Sequence, residues 1–162
     1  MTSLIVYSSQ TGNTRKLAGT VRDALPGDKE MVPIEKAPRP EGYDLVAVGF
    51  WLKGGKPDPK AAAYLQKIHD VPLFLFATHG AATDSEHARQ AMAFAAALAP
   101  TANVVGAFNC PGEVNPKVLE KIRNKDPQPP WIKDAGHAVG HPDAEDLARL
   151  KRRVETLQLN AS

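Results

Sequence analysis

Five apolar runs, each followed by a helical pattern, predict an α/β fold: a three-layer, doubly wound, five-stranded parallel sheet with helices on both faces. Two further observations agree. The chain has 162 residues, enough for one compact domain with a full sheet core. A hydroxyl-rich turn joins the first apolar run directly to the first helical pattern, the kind of junction at which such sheets bind ligands.

The elements alternate along the chain. Residues 3–7 form the first strand, and residues 14–25 the first helix, with Leu17, Val21, Ala24 and Leu25 on one face. Pro26-Gly27 stops that helix. A short second strand is expected at 30–34 and a third at 45–48. A second helix follows at 58–68, a fourth strand at 73–77 and an Ala-rich helix at 84–98, with Thr83-Asp84-Ser85-Glu86 as its cap. The fifth strand is placed at 104–108, then helices at 115–123 and 142–157. In the last of these, Leu147, Leu150, Val154 and Leu157 face inward. Residues 1–162 read as one domain, with an irregular Pro-rich loop at 124–141.

The turn after the first strand is Ser8-Ser9-Gln10-Thr11-Gly12-Asn13-Thr14. A helix N-terminus leaves backbone N–H groups unpaired and carries about half a positive charge, so it attracts anions. Hydroxyl and amide side chains surround Gly12, which lets the backbone approach an anion closely. The turn contains no Lys or Arg, so a phosphate there would be held by neutral hydrogen bonds. Other phosphate loops do not match. Asn13 follows Gly12 where a Walker loop needs Lys, and a G-x-G-x-x-G fingerprint is missing. A C-x5-R loop fails because the residue six after Cys110, the single cysteine, is Pro116.

The string LIVYSSQTGNTRKLA, through Ser9, Thr11, Gly12, Asn13 and Thr14, resembles the FMN phosphate loop of flavodoxins. The resemblance implies a flavodoxin-like fold with strand order 2-1-3-4-5 and an FMN cofactor. The turns after strands 1, 3 and 4 would then converge on one site. By that resemblance, Ser9, Gln10, Thr11, Gly12, Asn13 and Thr14 hold the phosphate. Phe50, Trp51, Leu52, Lys53 and Gly54 lie in the turn after strand 3, with Trp51 as the stacking ring. Gly54, with Gly55 second, is the candidate for a carbonyl that turns toward flavin N5 on reduction.

Thr78, His79, Gly80 and Ala81 form the turn after strand 4, expected to meet the pyrimidine edge through backbone N–H groups. Flavodoxins commonly place a Tyr on this turn, and none occurs here. His79 is expected to bring a cation near N1 and to raise the potential. Trp131, in the Pro-rich loop, is either a cover for cofactor or partner or a local packing anchor. Cys110 reads as a packing residue, and His137 and His141 as non-ligands.

Composition narrows the function classes. Hydrophobic residues at 43% and charged residues at 23% describe a soluble globular chain. No run approaches the ~20 apolar residues of a membrane helix, and no leader segment is evident. One cysteine suits a reducing cytoplasm. The net charge is +2, a departure from the acidic character of flavodoxins. Cations are scattered apart from Lys151-Arg152-Arg153, and aromatics make up only 6%, so nucleic acid is not an expected partner. No acid/base or nucleophile pair is visible, and no catalytic or metal-ligating residue is assigned. The expectation is a monomeric electron carrier serving redox partner proteins, a reductase and an acceptor. The alternative is a small FMN oxidoreductase such as a quinone or FMN reductase. A flavin-free interaction module is the third class.

Overall fold

The computed structural model describes residues 1–83, 85–157 and 159, with the side chain of Pro130 left out. The strands are β1 (Thr2–Tyr7), β2 (Asp28–Pro33), β3 (Leu45–Lys53), β4 (Lys56–Pro57), β5 (Pro72–His79) and β6 (Asn103–Pro111). The α-helices are α1 (Asn13–Ala24), α2 (Pro59–Leu65), α3 (Glu86–Ala97), α4 (Pro116–Arg123) and α5 (Ala144–Glu155). The sheet order is β2-β1-β3-β5-β6, and β4 pairs only with β3. With the two-residue β4 set aside, this is the expected order, and these five strands pair parallel.

Strand alternation sorts the core into two layers. Leu4, Val6, Val46 and Val48 point to one face, where Ala61, Tyr64 and Leu65 of α2 and Ala95 of α3 cover them. Ile5, Leu45 and Ala47 point to the other, under Leu17, Ala18 and Val21 of α1 and Leu150 and Val154 of α5. This is the period-2 signature of strands buried on both faces. Cys110 is fully buried in the second layer, and burial pushes its thiol pKa far up, which makes it a packing residue rather than a nucleophile.

Several boundaries differ from expectation for identifiable reasons. β3 continues through Gly49 to Lys53, so Phe50, Trp51, Leu52 and Lys53 are strand rather than turn. Gly49 does not interrupt it: the Phe76 ring fills its missing side chain, and a Cβ there would lie 2.1 Å from Phe76 Cε2. The strand then reverses through Gly54-Gly55, with φ of 61° and 78°, so that Lys53 pairs with Lys56. Two positive φ values in a two-residue connection match a type I′ hairpin turn.

β5 likewise reaches His79, and β6 reaches Pro111. α2 ends at Leu65 because its last turn tightens, with Ile68 N–H bonding to Leu65 O. The cap expected at 83–86 includes Asp84, which lies outside the described residues; Ser85 Oγ accepts the Ala88 N–H at 3.2 Å. Residues 130–138 of the expected irregular loop form a 3-10 helix, Pro130–Ala138. A buried Asp146 carboxylate in the first turn of α5 gathers the chain just before that helix. It accepts from His141, the Asp143 N–H and Arg149. No helix among the described residues is long and apolar enough to cross a membrane.

Candidate functional site

The carboxyl ends of β1, β3, β5 and β6 open onto one cleft of about 960 Å³. It lies where parallel sheets of this order bind ligands, at the crevice between the strands that diverge from β1 and β3. Ser9, Gln10, Thr11, Asn13, Thr14, Trp51, Leu52, Lys53, Gly54, Thr78, His79 and Gly80 all line it. Residues expected from three separate turns therefore meet in one place. Gly12, Phe50 and Ala81 do not line it, each for its own reason.

Gly12 shapes the turn from behind. Its φ of 91° puts it in the left-handed region, and it is the N-cap of α1. Its N–H donates to Ser9 Oγ at 3.0 Å. α1 has no side-chain cap, so the turn does not consume all the orphan donors of the helix start. Thr14 is buried, and its hydroxyl meets that of Thr78 at 3.1 Å. Asn13 Nδ2 donates to Glu113 O at 3.0 Å, which ties the turn to the end of β6.

Asp58 is the organising group that sequence reasoning missed. It is 1% exposed. Its Oδ1 accepts from Ser8 Oγ at 2.8 Å and from Ala61 N–H at 3.2 Å, and its Oδ2 accepts the Trp51 N–H at 3.4 Å. Its own N–H donates to Trp51 O at 3.0 Å. One carboxylate thus caps α2, anchors the base of the hydroxyl turn and fixes the backbone of Trp51. Asp58 before Pro59 is a readable helix cap. Its partnership with Ser8, fifty positions away, leaves no local signal.

Phe50 points the opposite way from Trp51 along β3 and is fully buried in the core, so it is a packing residue and not part of the site. Trp51 and Leu52 are half-buried cleft residues. Gly54 and Gly55 form the hairpin tip on the cleft wall.

His79 corrects an expectation. It is 6% exposed, and burial pushes its pKa below the usual value near 6.5. Its Nε2 contacts Asn109 Oδ1 at 2.9 Å, and its Nδ1 accepts the Ala81 N–H at 3.2 Å. An Nδ1 that accepts cannot carry a proton, so the ring is the neutral Nε2–H tautomer. The expected cation is absent at neutral pH. Ala81, 2% exposed, has its N–H committed to His79 and is unavailable to a ligand. Because the folded ring resists protonation, its contribution to stability is complete above about 6.5 and declines as pH falls below that value. An NMR pH titration of the His79 ring is expected to give a midpoint below 6.5; a midpoint above it would contradict the buried, accepting Nδ1.

Trp131, on the 3-10 helix, lies against Gly80, where a Cβ would be 2.8 Å from the indole ring. It also lines the cleft, so it both packs on the end of β5 and faces the site. Beyond the expected turns, the wall continues to Phe94 of α3 and to Val118 and Ile122 of α4. Among the described residues, lysines 53, 56, 121 and 125 border it, against the carboxylate of Glu113. Lys56 Nζ sits 4.9 Å from the centre of the Phe94 ring.

Comparison with known proteins agrees with this geometry. A flavodoxin domain model matches residues 4–155. The chain belongs to the flavodoxin family. It is 30% identical over 173 residues to a flavodoxin-like domain-containing protein, BilS, of Clostridium symbiosum (strain WAL-14163), covering 91% of this chain and 90% of that protein. A protein of the same name from Clostridioides difficile (strain CD3) is 25% identical over 174 residues, covering 100% of this chain and 99% of the relative. Among solved structures, the flavodoxin of Streptococcus pneumonia TIGR4 superposes with a TM-score of 0.62 at 14% identity, over 96% of both chains. That last likeness shows the fold.

The residues fit a phosphorylated flavin. The flavodoxin turn offers hydroxyls, an amide and an uncapped helix start for a phosphate. Trp51, Leu52 and Trp131 offer apolar surface for a ring system.

Proposed function

We propose that this flavodoxin-family chain holds FMN without a covalent bond and carries low-potential electrons between redox partner proteins. The observation that carries this reading is the convergence of the Ser9–Thr14 turn with Trp51 and Trp131 on one cleft. The flavin, when bound, supplies the electron chemistry. The chain's own residues bind and shield it. Ser9, Thr11 and Thr14 hydroxyls, the Gln10 and Asn13 amides and the free N–H groups of α1 hold the phosphate. Trp51 and Trp131 would exclude water from the ring system, and Gly54, at the hairpin tip, would supply a backbone acceptor for it. Neutral His79 acts as a support: through Asn109 and Ala81 it keeps the ends of β5 and β6 in place. The carrier works as a cytoplasmic monomer.

The purified protein, incubated with FMN and desalted, is expected to keep the visible flavin bands. A colourless product would overturn the reading. A second reading, a small FMN oxidoreductase such as a quinone or FMN reductase, draws on the cleft's extension to Phe94, Val118 and Ile122, which leaves room for an organic acceptor. Steady NAD(P)H oxidation by the loaded protein alone would favour that second reading over the carrier.

A further inference from the structure

The α4 helix forms an open wall of the cleft. None of its residues is buried. Val118 is 42% exposed, and Leu119 and Ile122 are only half-buried. A helix with this sequence would ordinarily bury its apolar stripe against the body of a domain. Here the stripe is left open, and Val118 and Ile122 face the cleft. The charge is equally one-sided. Lys117, Lys121 and Arg123 stand against Glu120 on the helix, a surplus of two cations, and Lys125 follows just beyond its end, next to Asp126. Lys53 and Lys56 line the same cleft from the hairpin.

We infer that α4 is the docking element for an acidic redox protein, seated on Val118 and Ile122 and steered by Lys117, Lys121 and Lys125. An apolar centre inside a charged rim is the usual anatomy of a specific transient interface. The cations on the helix span six positions, about 9 Å at the helical rise, and Lys125 lies beyond them, which suits a protein surface better than one small anion. Val118, Lys121, Ile122 and Lys125 share their cleft with the phosphate turn, so a partner on α4 lies beside the cofactor pocket. Electron transfer weakens steeply with distance, and this placement keeps the path short. The inference rests on the carrier reading above and adds the chemistry of the partner: a surface of carboxylates.

The test uses two haem proteins of opposite charge, the acidic haem domain of cytochrome b5 and the basic cytochrome c. Reduced FMN-loaded protein is mixed with each at 10 and 500 mM salt, and haem reduction is followed by stopped flow. Each event moves one electron from the flavin to a ferric haem, which becomes ferrous. A fully reduced flavin serves two haems and releases its protons to solvent. The rate with cytochrome b5 is expected to fall about tenfold or more with salt, and the rate with cytochrome c to rise. Lys117→Glu/Lys121→Glu/Lys125→Glu is expected to reverse both responses, and the triple Gln variant to flatten them.

These lysines are exposed, and circular dichroism checks that the variants fold. Carbodiimide coupling of flavin-free protein to cytochrome b5 is expected to link its carboxylates to Lys117, Lys121 or Lys125. Rates that respond to salt alike for both acceptors, or cross-links confined to other lysines, would overturn the inference. If the protein takes up no flavin, the carrier reading fails, and the cross-linking still decides the docking surface.

Discussion

Asp58→Ala is expected to lower stability by about 2–4 kcal/mol, the sum of a lost helix cap and of buried donors left without an acceptor. For a chain of this size that is roughly 5–15 °C in thermal midpoint. Three donors lose their partner at once: the Ser8 hydroxyl, the Ala61 N–H and the Trp51 N–H. The loss is also functional, because Ser8 starts the hydroxyl turn and Trp51 is a wall of the cleft. FMN affinity should therefore fall along with stability. Asp58→Asn keeps one oxygen for Ser8 and Ala61 but opposes an amide NH2 to the Trp51 N–H, and a loss of roughly 1–2 kcal/mol is expected. Ser8→Ala combined with Asp58→Ala should destabilise less than the two single changes added, since they share a bond. Strict additivity would show that the Ser8–Asp58 bond contributes nothing.

Gly12→Val is expected to weaken FMN binding at least about tenfold and to cost about 1–2 kcal/mol in stability. Space is not the reason, since a Cβ at Gly12 would meet nothing within 4 Å. The reason is the backbone: φ is 91°, and a β-branched residue resists the left-handed region. Relief of that strain moves the turn and misaligns the N–H groups of α1. Gly12→Asn, which tolerates positive φ, should retain most of the binding. Flavin fluorescence quenching and thermal unfolding read the two effects separately. Equal binding by the Val and Asn variants would mean that the turn's conformation does not govern the site.

The hydroxyl turn was legible in sequence because its chemistry is local: seven residues, bounded by a strand and a helix, carry it. The two core faces were legible for a similar reason, since alternation within one strand assigns each side chain. What escaped depends on partners far apart in the chain. His79 looks like a cation in isolation, and only its burial, at 6% exposed between the ends of β5 and β6, disfavours the charged ring. Phe50 and Trp51 look equivalent in an apolar stretch, but the continuation of β3 through Gly49 sends one to the core and the other to the cleft. Gly49 itself reads as a strand end until Phe76 is seen in its place. Gly54-Gly55 was readable as a turn, but its type became clear only from the pairing of Lys53 with Lys56. The prolines around Trp131 concealed a 3-10 helix. The open face of α4 is invisible to periodicity, which predicts a stripe but not whether anything covers it.

The central claim is that the Ser9–Thr14 turn binds a phosphate, and comparison of two flavins tests it most directly. Flavin-free protein is titrated with FMN and with riboflavin, which differ only in that group, and fluorescence quenching gives both affinities. Two or more hydrogen bonds to a charged phosphate, each about 1.5–3 kcal/mol, predict FMN tighter by at least about a hundredfold. Equal affinities for the two flavins, or binding of neither, would contradict the account.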